Sequence, residues 1–342
     1  MSRSRARSRV SRRAVTCLAG AVAGTVLVAG CAVEPPTPEP EAPAVAAVVS
    51  TAQERKILDR VSDAVTGARQ DGDPGALEAR LAGPALVMRE AELAIAAARG
   101  DNEALTDLTM EPQQLVLPSD QDWPRSSFAV TVLPDDGTTP VLAAFEQAGP
   151  RDQYKLWAYV QLVSGVTMPR FAPAELGSAA VPSDDTSLMV APAAVAEQYA
   201  SVLTEGDRSR YAAGFAGDDY LRQTLRKSGT EQVAEIEKKD GTGSFEVAFE
   251  PTDDPVKAVR TADGGALALV ALRSQETLRA EERWQLVPEA PSAKALWGDA
   301  TGTDVMKIAY RYTAALYVPP AASEGRISLV GFHRVPYAVS ND

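Results

Sequence analysis

Residues 154–163 read Tyr-Lys-Leu-Trp-Ala-Tyr-Val-Gln-Leu-Val. β-Branched and aromatic residues dominate the run, and period-2 alternation assigns it to a strand. Tyr154, Leu156, Ala158, Val160 and Leu162 line one face. Lys155, Trp157, Tyr159 and Gln161 line the other. Upstream, Phe128, Val130 and Val132 alternate in the same way. Pro134-Asp135-Asp136-Gly137 has turn chemistry, and a partner strand follows from Val141 to Gln147.

Helices precede these strands. Ile57, Val61, Ala64, Val65 and Ala68 recur at helical spacing within residues 52–69. Asp71-Gly72-Asp73-Pro74-Gly75 breaks that helix. A second helical stretch, 74–99, is split by Gly83-Pro84 and stopped by Gly100. Leu77 and Leu81 serve its first half, and Val87, Ala91, Ala94 and Ala98 its second. The plan recurs further on. Pro192 opens a helix carrying Val195, Tyr199, Val202 and Leu203, and Asp218 or Asp219 caps another through Leu221 and Leu225. Strands are then expected from Phe245 to Phe249, Ala266 to Gln275, Arg283 to Val287, Ile308 to Val318 and Ile327 to Arg334.

Helices followed by a strand meander, twice over, predict an α+β fold in two domains, each with helices packed on one curved antiparallel sheet. The order is similar to the NTF2-like and cystatin-like cones. The expected bounds are 50–172 for the first domain, 173–189 for a Pro/Gly/Ser-rich linker and 190–342 for the second.

The N-terminus carries export chemistry. Residues 1–13 hold six arginines and no acid, and a run of about fifteen apolar or small residues from Ala14 follows, too short to span a bilayer. It ends in Leu27-Val28-Ala29-Gly30-Cys31, which resembles the lipobox of bacterial lipoproteins. The resemblance implies a signal peptide over 1–30, cleavage between Gly30 and Cys31, and lipidation of Cys31 by diacylglycerol and palmitate-type acyl chains. It places the protein at the extracytoplasmic face of the cell membrane. Ser11-Arg12-Arg13 resembles a twin-arginine signal, with Val15 where an aromatic or Leu is usual, so the export route stays open. Residues 31–49 then form a tether. Pro35, Pro36, Pro38, Pro40 and Pro43 with Glu34, Glu39 and Glu41 favour an extended spacer of about 40 Å.

Net charge is −12. Without the six leader arginines, 28 basic residues face 46 acidic ones, a net of −18. Such a body repels nucleic acid. Cys17 and Cys31 are the only cysteines, so the processed domain has neither a disulfide nor a free thiol.

Little points to catalysis. His333 is the only histidine, which excludes paired-His metal sites, and no Gly-x-Ser-x-Gly elbow accompanies it. It is expected as a partly exposed strand residue. Asp135-Asp136, Asp184-Asp185, Asp218-Asp219 and Asp253-Asp254 sit beside turn residues. Gly264-Gly265 reads as a hairpin, not a phosphate cradle. No catalytic residue, metal or cofactor is therefore assigned. The aromatics Trp123, Trp157 and Tyr159 with Arg125 are the candidates for a pocket or interface.

QDWPRSSFAVT (121–131), YKLWAYVQLVSGVTMPRF (154–171), APAELGSA (172–179) and RLAGPALVMREAEL (80–93) resemble a family of actinobacterial lipoproteins carrying a domain of unknown function. The likeness spans roughly 50–340 and implies no activity. The expected role is a membrane-anchored binding or scaffolding module with an envelope protein or small ligand as partner. An envelope hydrolase using paired carboxylates is the alternative, and a structural assembly subunit a third reading.

Overall fold

The computed structural model describes residues 46–71, 74–108, 110–133, 139–217, 219–281 and 284–341. Cys31, the leader, residues 31–45 of the expected tether, the 134–137 turn and Asp218 lie outside them. Residues 46–49, expected in the tether, join the folded body, where the Ala47 amide donates to the Glu175 carbonyl at 3.0 Å and Val49 is buried in the first core.

Helix α1 (Thr51–Asp71) opens on a reciprocal capping box. The Gln53 amide donates to Ser50 Oγ at 3.2 Å, and the Ser50 amide donates to Gln53 Oε1 at 2.9 Å. Its buried face is Glu54, Leu58, Val61, Val65 and Ala68. Pro74–Leu77 forms a short 3₁₀ turn, and α2 (Gly83–Arg99) begins at the predicted Gly-Pro break. Gly83 has φ +52° and admits the Trp157 indole: a Cβ there would lie 2.7 Å from Nε1. Four strands follow: β1 (Pro112–Val116), β2 (Arg125–Thr131), β3 (Val141–Gln147) and β4 (Lys155–Leu162).

In the second half come α3 (Pro192–Glu205) and α4 (Tyr220–Glu237), the latter capped by Asp219, which accepts from the Arg222 amide at 2.9 Å. The rest are β5 (Gly243–Pro251), β6 (Lys257–Arg260), β7 (Ala266–Ala280), α5 (Pro291–Trp297), β8 (Val305–Val318) and β9 (Ser328–Ser340). Two expectations shift here. Of the expected strand 283–287, Arg283 lies outside the described residues and 284–287 contribute a bridge from Leu286 to Thr303, and β1, β6 and α5 are additions.

All strands join one nine-stranded antiparallel sheet in the order β1-β2-β3-β4-β9-β8-β7-β5, with β6 on the same edge of β7 as β5. The two meanders meet at β4 and β9 through Gln161↔Phe332 and Leu162↔Gly331. Gly331 makes that approach feasible, because a Cβ there would lie 2.6 Å from the Gln161 carbonyl oxygen.

Each half does place helices on one sheet face. Leu58, Val61, Leu81 and Ala85 pack on Phe145 and Leu156 in the first, and Val195, Tyr199 and Leu221 pack on Val270, Tyr312 and Leu316 in the second. The face away from the helices is buried too. Phe128, Leu142, Trp157 and Val160 share a cluster with Val259, Leu267, Leu269, Ala315 and Val330. The face of the sheet away from the helices therefore carries one apolar cluster drawn from both halves, and the described residues form one compact unit instead of two separate domains. Helix-then-strand order reveals which elements pack in each half but not that each sheet has a second apolar face. The expected linker, 173–189, is stitched across both halves. Ser178 bridges Pro118 beyond β1, while Ala180 bridges Val259 of β6.

Candidate functional site

The predicted aromatic site does not assemble. Ala144 and Ala158 are paired, as are Phe145 and Leu156, so Trp157 is the extra residue of a β-bulge. The bulge reverses the alternation. Tyr154, Leu156 and Tyr159 face the first helical core, while Trp157, Ala158 and Val160 face the cluster shared by both halves. Trp157 and Tyr159 thus lie on opposite faces. Trp123 and Arg125 sit together at the far end of β2. The guanidinium stacks 3.9 Å from the Trp123 ring centroid, and the Trp123 indole N–H donates to Gln147 Oε1 at 3.3 Å. Trp123 remains 39% exposed. Its peptide bond to Pro124 is cis.

A polar cluster forms instead around Glu92, which is 0% exposed on α2. Its Oε1 accepts from Thr106 Oγ1 at 2.6 Å, from His333 Nε2 at 2.9 Å and from Tyr159 OH at 3.3 Å. Its Oε2 accepts from Arg89 Nη1 at 2.7 Å and from the Thr106 amide at 3.3 Å. Arg89 Nη1 also donates to the Thr106 carbonyl at 2.9 Å. Burial alone would raise the Glu92 carboxyl; the hydrogen bond and charge of His333, the charge of Arg89 and the Thr106 hydroxyl outweigh it and hold it below the ordinary carboxylate range. Burial, then the Glu92 charge, pushes the Tyr159 phenol well above its usual range.

The cluster spans the molecule. Tyr159 comes from β4, His333 from β9, and α2 supplies Arg89 and Glu92 between them. Thr313 Oγ1 of β8 donates to the Tyr159 carbonyl at 2.6 Å, a further tie between halves. His333 is 8% exposed, not the partly exposed strand residue expected. Its ring lies 4.9 Å from that of Tyr159.

The Glu92 carboxylate is saturated, whereas the buried Arg89 Nε beside it has no hydrogen-bond partner among the described residues. Thr106 Oγ1 lies 3.2 Å from His333 Nε2, a distance suited to a nucleophile and its base. The same nitrogen faces Glu92, however. In a working triad the acid holds the other ring nitrogen, leaving this one free to take the hydroxyl proton. Here one nitrogen cannot donate to Glu92 and accept from Thr106 at once. On the opposite face of β9, Arg334 donates to Glu276 Oε1 at 3.2 Å and to Tyr312 OH at 3.3 Å, with Tyr310 under its guanidinium. Burial raises the Glu276 carboxyl, and Arg334 opposes it.

Three described members of the acid pairs do local work. Asp185 accepts from the Ser187 amide and pairs with Arg260; Asp254 accepts from Thr252; Asp219 is the α4 cap. A third buried acid, Glu54, accepts from Ser127 Oγ at 2.6 Å, while its Oε2 and the nearby Tyr154 hydroxyl have no hydrogen-bond partner. Burial raises the Glu54 carboxyl to about 7, with Ser127 opposing.

Sequence reading missed Arg89 and Glu92 by choosing the wrong phase for α2. Val87, expected in the core, is 42% exposed, whereas Ala85, Met88, Arg89, Glu92, Ile95 and Ala96 are buried. The stripe 85, 88, 89, 92, 95, 96 was visible in the residue spacing, but it passes through two charges, Arg89 and Glu92.

Fold and site thus define a helix-covered antiparallel sheet protein whose central polar cluster is a closed internal tie. The chain belongs to the family described as a domain of unknown function (DUF8094), whose model matches residues 45–335 and so spans both halves. It is 27% identical over 228 residues to an uncharacterized lipoprotein of Streptomyces coelicolor, covering 66% of this chain and 67% of that one. No solved structure matches the chain.

Proposed function

We propose that this protein is a lipoprotein, exported, cleaved between Gly30 and Cys31, and held at the extracytoplasmic membrane face by acyl chains on Cys31. Its folded body acts there as a binding or scaffolding module. The order of basic leader, apolar run, Leu27-Val28-Ala29-Gly30-Cys31 and Pro/Glu-rich spacer supports the anchor, as does the name of the Streptomyces relative. Among the described residues no helix is long and apolar enough to cross a membrane. Two acyl chains bury enough methylene groups for stable attachment.

The observation that favours binding over turnover is the closure of the Glu92 cluster. Its carboxylate oxygens are both occupied by protein donors, and its one histidine nitrogen is shared between acid and hydroxyl. On element order alone, we read each half as a unit of the NTF2-like or cystatin-like kind. The acidic body argues against nucleic acid as the partner.

The test is the Cys31→Ser variant in cells fed an alkyne fatty acid. The wild-type chain is expected in the membrane fraction carrying the label, and the variant unlabelled and either unprocessed or released. A variant processed and retained like wild type refutes the anchor.

A further inference from the structure

The outer edge formed by β5 and β6 is covered unevenly. Along β6, the Val181 amide donates to the Ala258 carbonyl at 2.9 Å and the Arg260 amide to the Ala179 carbonyl at 2.9 Å. Along β5, which α3 and α4 pack against, the one hydrogen bond to an outward amide among the described residues runs from the Phe249 amide to Thr204 Oγ1 at 2.8 Å. That contact, with the Thr252 amide donating to the Ala271 carbonyl of β7, sets the phase of the ladder. Even-numbered residues of β5 bond to β7, and odd-numbered ones turn outward. Pro251 sits at an outward position, where no amide is needed. By the same parity Phe245 and Val247 present their N–H and C=O groups away from the sheet. Among the described residues no hydrogen bond to these groups is formed.

Beside this stretch runs a groove of about 1110 Å³. Leu225, Gly229 and Val233 of α4 face it with Phe245 and Val247 from one side of β5, and Glu246 lines it from the other. Space that reaches both faces of an edge strand is the space a further strand fills, because its alternate side chains point to both.

Charge narrows the occupant. On the helix side Arg222 pairs with Asp207 at 2.7 Å, and Arg208 and Arg226 line the groove together with Glu205 and Glu237, so neither sign prevails there. On the other side an added strand lies directly beside the exposed Glu246, with Glu250 further along and already paired with Arg273. Arg279 and Lys307 lie one and two strands further in. A residue opposite Glu246 is favoured when basic. A second copy pairing β5 with β5 would bring Glu246 and Glu250 of both chains to one face, which is repulsive.

We propose that β5 is a docking edge for an extended segment of a partner protein, apolar at alternate positions and basic at those between, which adds to the sheet as a strand. This gives the binding role proposed above its partner class and rests on that role, not on the lipid anchor.

The test uses the full chain in detergent and two fluorescent octapeptides, alternating Val-Lys and alternating Val-Glu, read by anisotropy at physiological salt. The Val-Lys peptide is expected to bind at least about tenfold more tightly, and Glu246→Lys to reverse the preference. Hydrogen exchange of the Phe245 and Val247 amides slows when the peptide binds. Val247→Pro weakens binding by about tenfold or more, and its outward amide leaves the ladder to β7 intact. Should Val247→Pro unfold the protein, Glu246→Lys and the exchange data still decide. Equal affinity for both peptides, unprotected amides at 245 and 247, or a dimer through β5 in sedimentation overturns the proposal. Membrane attachment is read by the Cys31→Ser experiment, so either claim can fail alone.

Discussion

Glu54 should make this protein less stable as the pH rises through neutrality, the reverse of the usual carboxylate effect. Its side chain is 0% exposed, and Ser127 supplies a single hydrogen bond to Oε1 while Oε2 has none. Burial raises the carboxyl from 4.5 to about 7. Between those values the folded chain holds a proton that the unfolded chain has released, so stability falls as pH rises. The favourable contribution is complete below pH 4.5 and gone above pH 7. A displacement of that size corresponds to about 3 kcal/mol. Glu54→Gln removes the titration and keeps an acceptor for the Ser127 hydroxyl, at the cost of amide hydrogens left without partners, about 1–2 kcal/mol. The variant is therefore expected to be more stable than wild type by about 1–2 kcal/mol at pH 8 and less stable at pH 5. Urea unfolding of both proteins at pH 5, 6, 7 and 8 measures this directly. A difference between them that stays constant over that range would refute the reasoning.

Other outcomes follow from the same geometry. Tyr154→Phe removes a buried hydroxyl with no partner and should leave stability unchanged or raise it by about 0.5–1 kcal/mol in thermal melts. Gly331→Ala forces the β4–β9 junction apart at the Gln161 carbonyl and should cost about 1–3 kcal/mol, with faster exchange of the Val163 amide, which donates to the Val330 carbonyl. Glu92→Ala leaves Arg89 buried without its carboxylate and should cost about 3–5 kcal/mol in urea. Because the Glu92 carboxyl is held below 4.5, its contribution is present above pH 4.5 and fades as pH falls below it, opposite in sign to Glu54. Acid titration followed by circular dichroism should show wild type unfolding at a lower pH than Glu92→Gln loses its own structure.

Local signals carried most of the elements. Gly83-Pro84 splits the second helix where expected, Asp219 caps α4, and Val141–Gln147 and Gly243–Pro251 cover the expected strands. What failed was alternation in β4. Leu156 to Val160 is buried at every position, the pattern of a strand covered on both sides, and a run of such residues was readable as that. Interpreting it as alternation placed Trp157 and Tyr159 on one face and left each sheet with a single apolar side. Two half-buried sheets then imply two domains. Strands buried on both sides need apolar partners on the second face as well, and both halves of the chain contribute to that shared cluster.

The same error of phase hid the central cluster, and its cause is general. A helix face is assigned by following apolar residues, so a buried Arg and Glu three apart look like the solvent side. Charges enter a core when they neutralise one another, and the sequence does not show that Glu92 has a partner in His333, 241 residues away. That separation also explains why the cluster ties the halves together. α2 belongs to the first half by sequence, yet Met88 and Ile95 pack on Val335 of β9, and Glu92 reaches His333 on the same strand. With only two residue pairs joining β4 to β9 in the sheet, side chains must hold much of the junction. If so, Glu92→Ala and Gly331→Ala act on one interface, and the double variant should cost measurably less or more than the two single costs added together. Additive costs would mean that the cluster and the strand junction hold the halves independently.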